Sequence, residues 1–129
     1  MTRRILVVDD EPDIVLLVQA NVTAWGHECL GATSAAEARR ICEDAIPDGM
    51  LLDVAMPHQD GPALLRELRA DGLDPRRVTL LSAKPTDELV TLAEELRVRF
   101  LSKPFTLAAL AAAVEALLAD EEVPSGTNR

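Results

Sequence analysis

Aromatic side chains are nearly missing from this sequence: Trp25, Phe100 and Phe105 are the three present, and there is no tyrosine. A chain so poor in aromatics does not resemble one that packs two antiparallel sheets face to face, so sandwiches and barrels drop away. Cysteine is scarce too. Cys29 and Cys42 have neither a C-x-x-C nor a zinc-ligand spacing, and each sits in an apolar stretch where a reduced thiol packs as a small hydrophobe. Long apolar runs are absent: only Ile5 to Val8 precede Asp9, and the tract from Leu107 to Ala119 is broken by Glu115. The first is too short for the apolar part of a secretory signal and the second for a membrane span, so a cytoplasmic chain is the expectation. Positive charge is also in deficit. Lysine and arginine number 13 against 22 acids, a net charge of −9, which repels a duplex phosphate backbone at long range. Direct nucleic-acid binding by this chain is not expected.

What is there suits one packed domain. The 129 residues are 48% hydrophobic and 27% charged, enough to close a single core without metal or disulfide staples. The apolar half is mostly Ala, Leu and Val, which favours helices and strands buried on both faces.

Periodicity orders these into alternating elements. Ile5–Val8 reads as a buried strand, and Pro12 opens a helix that carries Val15, Val18, Val22 and Trp25 and stops at Gly26. His27–Gly31 is a weaker strand. Ser34 and Glu37 have the capping-box spacing ahead of a second helix along Ala38, Ile41, Cys42 and Ala45. Gly49–Asp53 is the third strand, and Gly61-Pro62 starts a helix through Leu64, Leu65 and Leu68 that ends near Gly72. Val78–Leu81 is the fourth strand, Leu89 to Leu96 a helix, Val98–Leu101 the fifth strand, and Thr106 caps a last helix to about Ala119. In that helix Leu107, Leu110, Ala111, Val114, Leu117 and Leu118 form the stripe that must face the sheet. Residues 121–129, with Pro124, Ser125 and Gly126, read as a flexible tail or linker beyond a domain spanning 1–120. Five strands alternating with five helices make an α/β fold: a parallel sheet with helices on both faces.

In such a sheet all strand C-termini gather at one edge, where open α/β sheets place their ligand sites. Asp9 and Asp10 end the first strand, Asp53 the third and Ser82 the fourth, and Lys103 follows the fifth. With strand order 2-1-3-4-5 the neighbours across that edge are an acid pair, an acid, a hydroxyl and an ammonium. Crowded carboxylates repel by roughly 4 kcal/mol per pair at 4 Å and an effective dielectric near 20 unless a cation intervenes. Oxygen ligands without His or Cys suit Mg2+. Lys103 and Ser82 supply a mobile charge and a donor for phosphoryl oxygens, which is most of what phosphoryl transfer asks of a protein. Each residue also has an ordinary reading. Asp9 and Asp10 suit a helix N-terminus, Asp53 and Lys103-Pro104 suit turns, Ser82 suits a backbone hydrogen bond, and Phe100 suits a core. Their joint placement favours a site. His27 and His58 have no partner at ligand spacing.

Four motifs in order, Val8-Asp9-Asp10-Glu11-Pro12, Leu52-Asp53-Val54-Ala55-Met56-Pro57 with Asp60-Gly61, Leu81-Ser82-Ala83, and Phe100-Leu101-Ser102-Lys103-Pro104-Phe105, resemble the receiver domain of two-component response regulators across about residues 3 to 120. The resemblance implies a flavodoxin-like, doubly wound (βα)5 sheet of the chemotaxis-receiver kind. It further implies that Asp53 is the phosphoacceptor, taking its phosphoryl from a histidine kinase or histidine phosphotransfer protein. Asp10 and Asp53 then bind Mg2+ directly with the Ala55 carbonyl, and Asp9 acts mainly through water. Ser82, the Ala83 amide and Lys103 hold the phosphoryl oxygens. Ser82 and Phe100 serve as the switch, and output passes through the face formed by the fourth helix, fifth strand and fifth helix, to an effector or in a homodimer. The implied catalysis is limited to self-phosphorylation from small phosphodonors and autodephosphorylation. Three departures stand out: Ser82 replaces the usual Thr, Arg97-Val98-Arg99 replaces a small Gly-Ala stretch, and Ala55 and Lys84 occupy positions that tune phosphate lifetime. A haloacid-dehalogenase-like phosphohydrolase is the rival enzyme reading. It needs an acid two residues after the nucleophile, where Ala55 stands. A degenerate receiver would have lost a site residue, and none is lost.

Overall fold

Short β-branched and leucine-rich runs alternate with amphipathic ones, and each run folds as its period dictates. The computed structural model describes residues 3–56, 59–83 and 87–119. Its strands are β1 (Arg4–Val8), β2 (Glu28–Ala32), β3 (Gly49–Asp53), β4 (Val78–Ser82) and β5 (Arg99–Ser102), parallel and ordered β2-β1-β3-β4-β5. The helices are α1 (Pro12–Ala24), α2 (Ala35–Asp44), α3 (Gly61–Ala70), α4 (Asp87–Leu96) and α5 (Leu107–Leu118). This is the doubly wound order expected from the sequence.

Side-chain alternation splits the core in two. Leu6, Val8, Met50, Leu52, Val78 and Leu80 point to one face, under Ala35 and Ala38 of α2, Leu64, Leu65 and Leu68 of α3 and Ala93 of α4. Ile5, Val7, Leu51 and Leu81 point to the other, under Val15, Val18 and Val22 of α1 and Leu110, Val114 and Leu117 of α5. Leu107 departs from the expected stripe: it lies in the first turn of α5 and is exposed. The Cβ of an alanine at Gly31 would collide with Val15 Cγ1, so β2 and α1 approach as closely as they do because position 31 has no side chain.

Three helices close in the same way. After α1, Gly26 takes φ +96° while its N–H bonds Thr23 O and that of His27 bonds Val22 O. After α3, Gly72 (φ +113°) and Leu73 repeat the pattern on Arg69 O and Leu68 O. After α4 the left-handed position is Arg97 (φ 60°), with Arg97 N–H to Glu94 O and Val98 N–H to Ala93 O. These are Schellman closures, two with the usual glycine and one without. Val98 thus belongs to the α4 closure, which is why β5 begins one residue later than the sequence predicts. Two further elements lie outside the sequence expectation. One is a two-stranded ribbon, Ala55–Met56 against Gln59–Asp60, and the other a 3-10 turn at Pro75–Arg77, capped by Asp74, which accepts from Arg76 N–H at 3.0 Å.

Candidate functional site at the carboxyl edge of the sheet

Strand register brings the acids level. Val8 pairs with both Ala32 and Leu52, so Asp9 and Asp53, each one residue further on, arrive side by side at the C-terminal edge. Backbone bonds continue the ladder there: Asp9 N–H to Ala32 O (3.1 Å), Val54 N–H to Leu81 O (3.1 Å) and Lys103 N–H to Ser82 O (2.6 Å). The charged residues therefore stand on ordered backbone. The Lys103–Pro104 peptide is cis.

Lys103 gathers the acids. Its Nζ lies 2.6 Å from Asp9 Oδ2 and 3.8 Å from both Asp53 Oδ1 and Glu11 Oε2. Asp9 is fully buried, and its Oδ1 accepts from Glu11 N–H at 3.0 Å. Asp53 and Ser82 are also buried, Asp10 is half-buried, and Ala83 is exposed. Burial alone would lower the Lys103 pKa, but the Asp9 hydrogen bond and the charges of Asp53, Asp9 and Glu11 outweigh it and hold the ammonium above its ordinary value. Asp9, Asp10 and Asp53 can each offer a carboxylate oxygen within 4.8 Å of the others. An all-carboxylate set of this kind fits a hard divalent cation such as Mg2+.

Asp9, Asp10, Asp53, Ser82 and Lys103 thus converge as the sequence suggests. Ala55 follows in the short ribbon. Phe100 stands apart on β5, 37% exposed, and Lys103 follows directly after the end of that strand. Lys84 and His58 lie outside the described residues. Two contacts escape sequence reasoning: the direct Asp9–Lys103 pair and the approach of Glu11 to Lys103. The signal for Glu11 is its place straight after the acid pair.

The family profile described as "Response regulator receiver domain" matches residues 5–115. The chain belongs to this family. It is therefore a receiver domain of two-component systems, a signalling domain. The receiver is 36% identical over 115 residues to the transcriptional regulatory protein PrrA of Mycobacterium tuberculosis, covering 89% of this chain and 49% of PrrA. It is 35% identical over 124 residues to the alkaline phosphatase synthesis transcriptional regulatory protein PhoP of Bacillus subtilis, covering 95% of this chain and 51% of PhoP. The receiver thus spans about half the length of these two relatives. Among solved structures, the receiver domain of NtrX from Brucella abortus superposes with a TM-score of 0.81 at 32% identity, covering 91% of this chain and 99% of that one. Chemotaxis protein CheY4 of Vibrio cholerae gives 0.84 at 23% identity over 92% and 100%, a likeness of fold. Among the described residues no helix is long and apolar enough to cross a membrane.

Proposed function

We propose that Asp53 is the phosphoacceptor of this receiver and takes its phosphoryl group from a phosphohistidine on a histidine kinase or histidine phosphotransfer protein in the cytoplasm. The observation that carries this reading is the Lys103 ammonium, drawn in among Asp9 and Asp53 from two different strands with Asp10 alongside. In the transfer an Asp53 carboxylate oxygen attacks phosphorus while the P–N bond to the donor imidazole breaks. Lys103, the Ser82 hydroxyl and the Ala83 amide take the phosphoryl oxygens, supplying charge and hydrogen-bond donors where negative charge gathers in the transfer. Asp10, Asp53 and the Ala55 carbonyl would hold Mg2+, which supplies neutralising charge for those oxygens. Asp9, sealed and paired with Lys103, suits an indirect role behind them.

Ser82 and Phe100 form the switch. Lys103 N–H on Ser82 O ties the site to β5, and Phe100 lies three residues back along that strand. Output passes through the face of α4, β5 and α5 to an effector, which in a longer protein follows the 121–129 linker after a receiver spanning 1–120, or to a second copy. Catalysis is limited to self-phosphorylation from small donors and autodephosphorylation.

Intact mass after incubation with acetyl phosphate tests this. Wild type gains one phosphoryl group when Mg2+ is present, and the gain is lost in Asp53→Ala and on adding a chelator. A gain that survives Asp53→Ala, or that ignores chelation, overturns the assignment.

A further inference from the structure

Lys103 has three anionic partners among the described residues, and they differ in what an incoming group meets. The Asp9 side chain is sealed from solvent and that of Asp53 is 6% exposed, whereas Glu11, at 3.8 Å from Nζ, is 63% exposed. The Glu11 backbone is committed to structure. Its N–H bonds Asp9 Oδ1, and its carbonyl accepts from Ile14 and Val15 to open α1. The side chain is not so committed, for it makes no capping hydrogen bond to the helix, and Asp13 already places an acid in the first turn of α1. Asp9, Asp10 and Asp53 outnumber the ammonium even without it. Glu11 therefore adds a negative charge on the open side of the site, where an incoming group meets it before the buried acids.

We infer that Glu11 is a specificity-determining residue, a charge filter that disfavours phosphodonors arriving as free dianions relative to donors of lower charge. The inference rests on Asp53 being the phosphoacceptor. Two small donors separate the effects. Acetyl phosphate is a dianion near neutral pH: Asp53 attacks phosphorus, the P–O bond breaks, and acetate leaves with the electron pair. Phosphoramidate is a net monoanion whose nitrogen already carries its protons: the P–N bond breaks and ammonia leaves. The products balance in both cases without a further reactant. Only the first donor brings a net charge of −2 past Glu11.

The test compares second-order phosphorylation rate constants for wild type, Glu11→Gln and Glu11→Lys, from intact-mass time courses with each donor at constant Mg2+. The ratio of acetyl phosphate to phosphoramidate rises about three- to tenfold in Glu11→Gln at low salt, as expected for one unit charge acting over several ångströms. It rises further in Glu11→Lys, and both ratios fall back toward wild type near 1 M salt, where the screening length is about 3 Å. An unmoved ratio overturns the inference. So does equal acceleration with both donors, which would mean that Glu11 merely restrains Lys103. If wild type gains phosphate from neither donor, the phosphoacceptor reading falls and takes this inference with it; wild type alone therefore tells the two failures apart.

Discussion

Burial pushes the Cys29 thiol up to about 12, so at neutral pH the residue is a hydrophobe and not a nucleophile. Its folded value lies above the unfolded one, near 9.0. The contribution to stability is therefore complete below pH 9 and is lost as pH rises toward 12, because the unfolded chain gives up this proton first. Urea midpoints measured between pH 8 and 11 should fall with pH, and less steeply in Cys29→Ala. A thiol reagent at pH 8 should label the native protein far more slowly than the denatured one. Most of the candidate site is legible at this scale: Asp9, Asp10, Asp53, Ser82 and Lys103 are polar residues at the ends of apolar runs, and a parallel sheet gathers such ends by itself. What sequence does not carry is the distance across the edge. Asp9 follows β1 and Lys103 follows β5, with β3 and β4 between them in the sheet, yet Nζ lies 2.6 Å from that carboxylate.

Helix ends decide how well the elements can be read. Gly26 and Gly72 announce the stops of α1 and α3, since a left-handed residue is needed there and glycine adopts it freely. Arg97 does the same job without that signal, and for this reason the start of β5 is displaced from its predicted place. An L-residue in this conformation costs roughly 1–2 kcal/mol. Arg97 is exposed, so Arg97→Gly should stabilise the fold by about 1 kcal/mol, the gain in geometry being partly offset by the freer unfolded chain. A urea midpoint that does not rise, at unchanged slope, contradicts it. Gly31→Ala is the opposite case. Its methyl has to displace Val15 and press on Gln19, and overpacking of this kind costs about 1–3 kcal/mol. The ribbon of Ala55–Met56 and Gln59–Asp60 is illegible for another reason: two-residue strands leave no period to detect.

Over the whole molecule, parallel strands put all the chemistry at one edge and the helix C-termini at the other. Trp25 closes α1 at that far edge, and thirteen residues at 1.5 Å each place it roughly 20 Å from the start of the helix beside Asp10. Its fluorescence should barely respond to Mg2+; a large saturable quench would contradict the placement of the cation at the acids. The global order was the most legible feature of all, because right-handed crossovers between parallel strands leave few alternatives.

The order of strands also has a mechanical side. The acids stand at the ends of β1 and β3, each flanked by strands on both sides, while the ammonium follows β5, an outer strand held along one flank by β4. In shear, β1 and β3 are the stiff members and β5 is the compliant one. On the proposed reading, a force between Lys103 and its anions on phosphorylation of Asp53 would be resisted at β1 and β3 and taken up by β5. Displacement would then reach the strand that carries Phe100, which among the described residues is paired along one flank only.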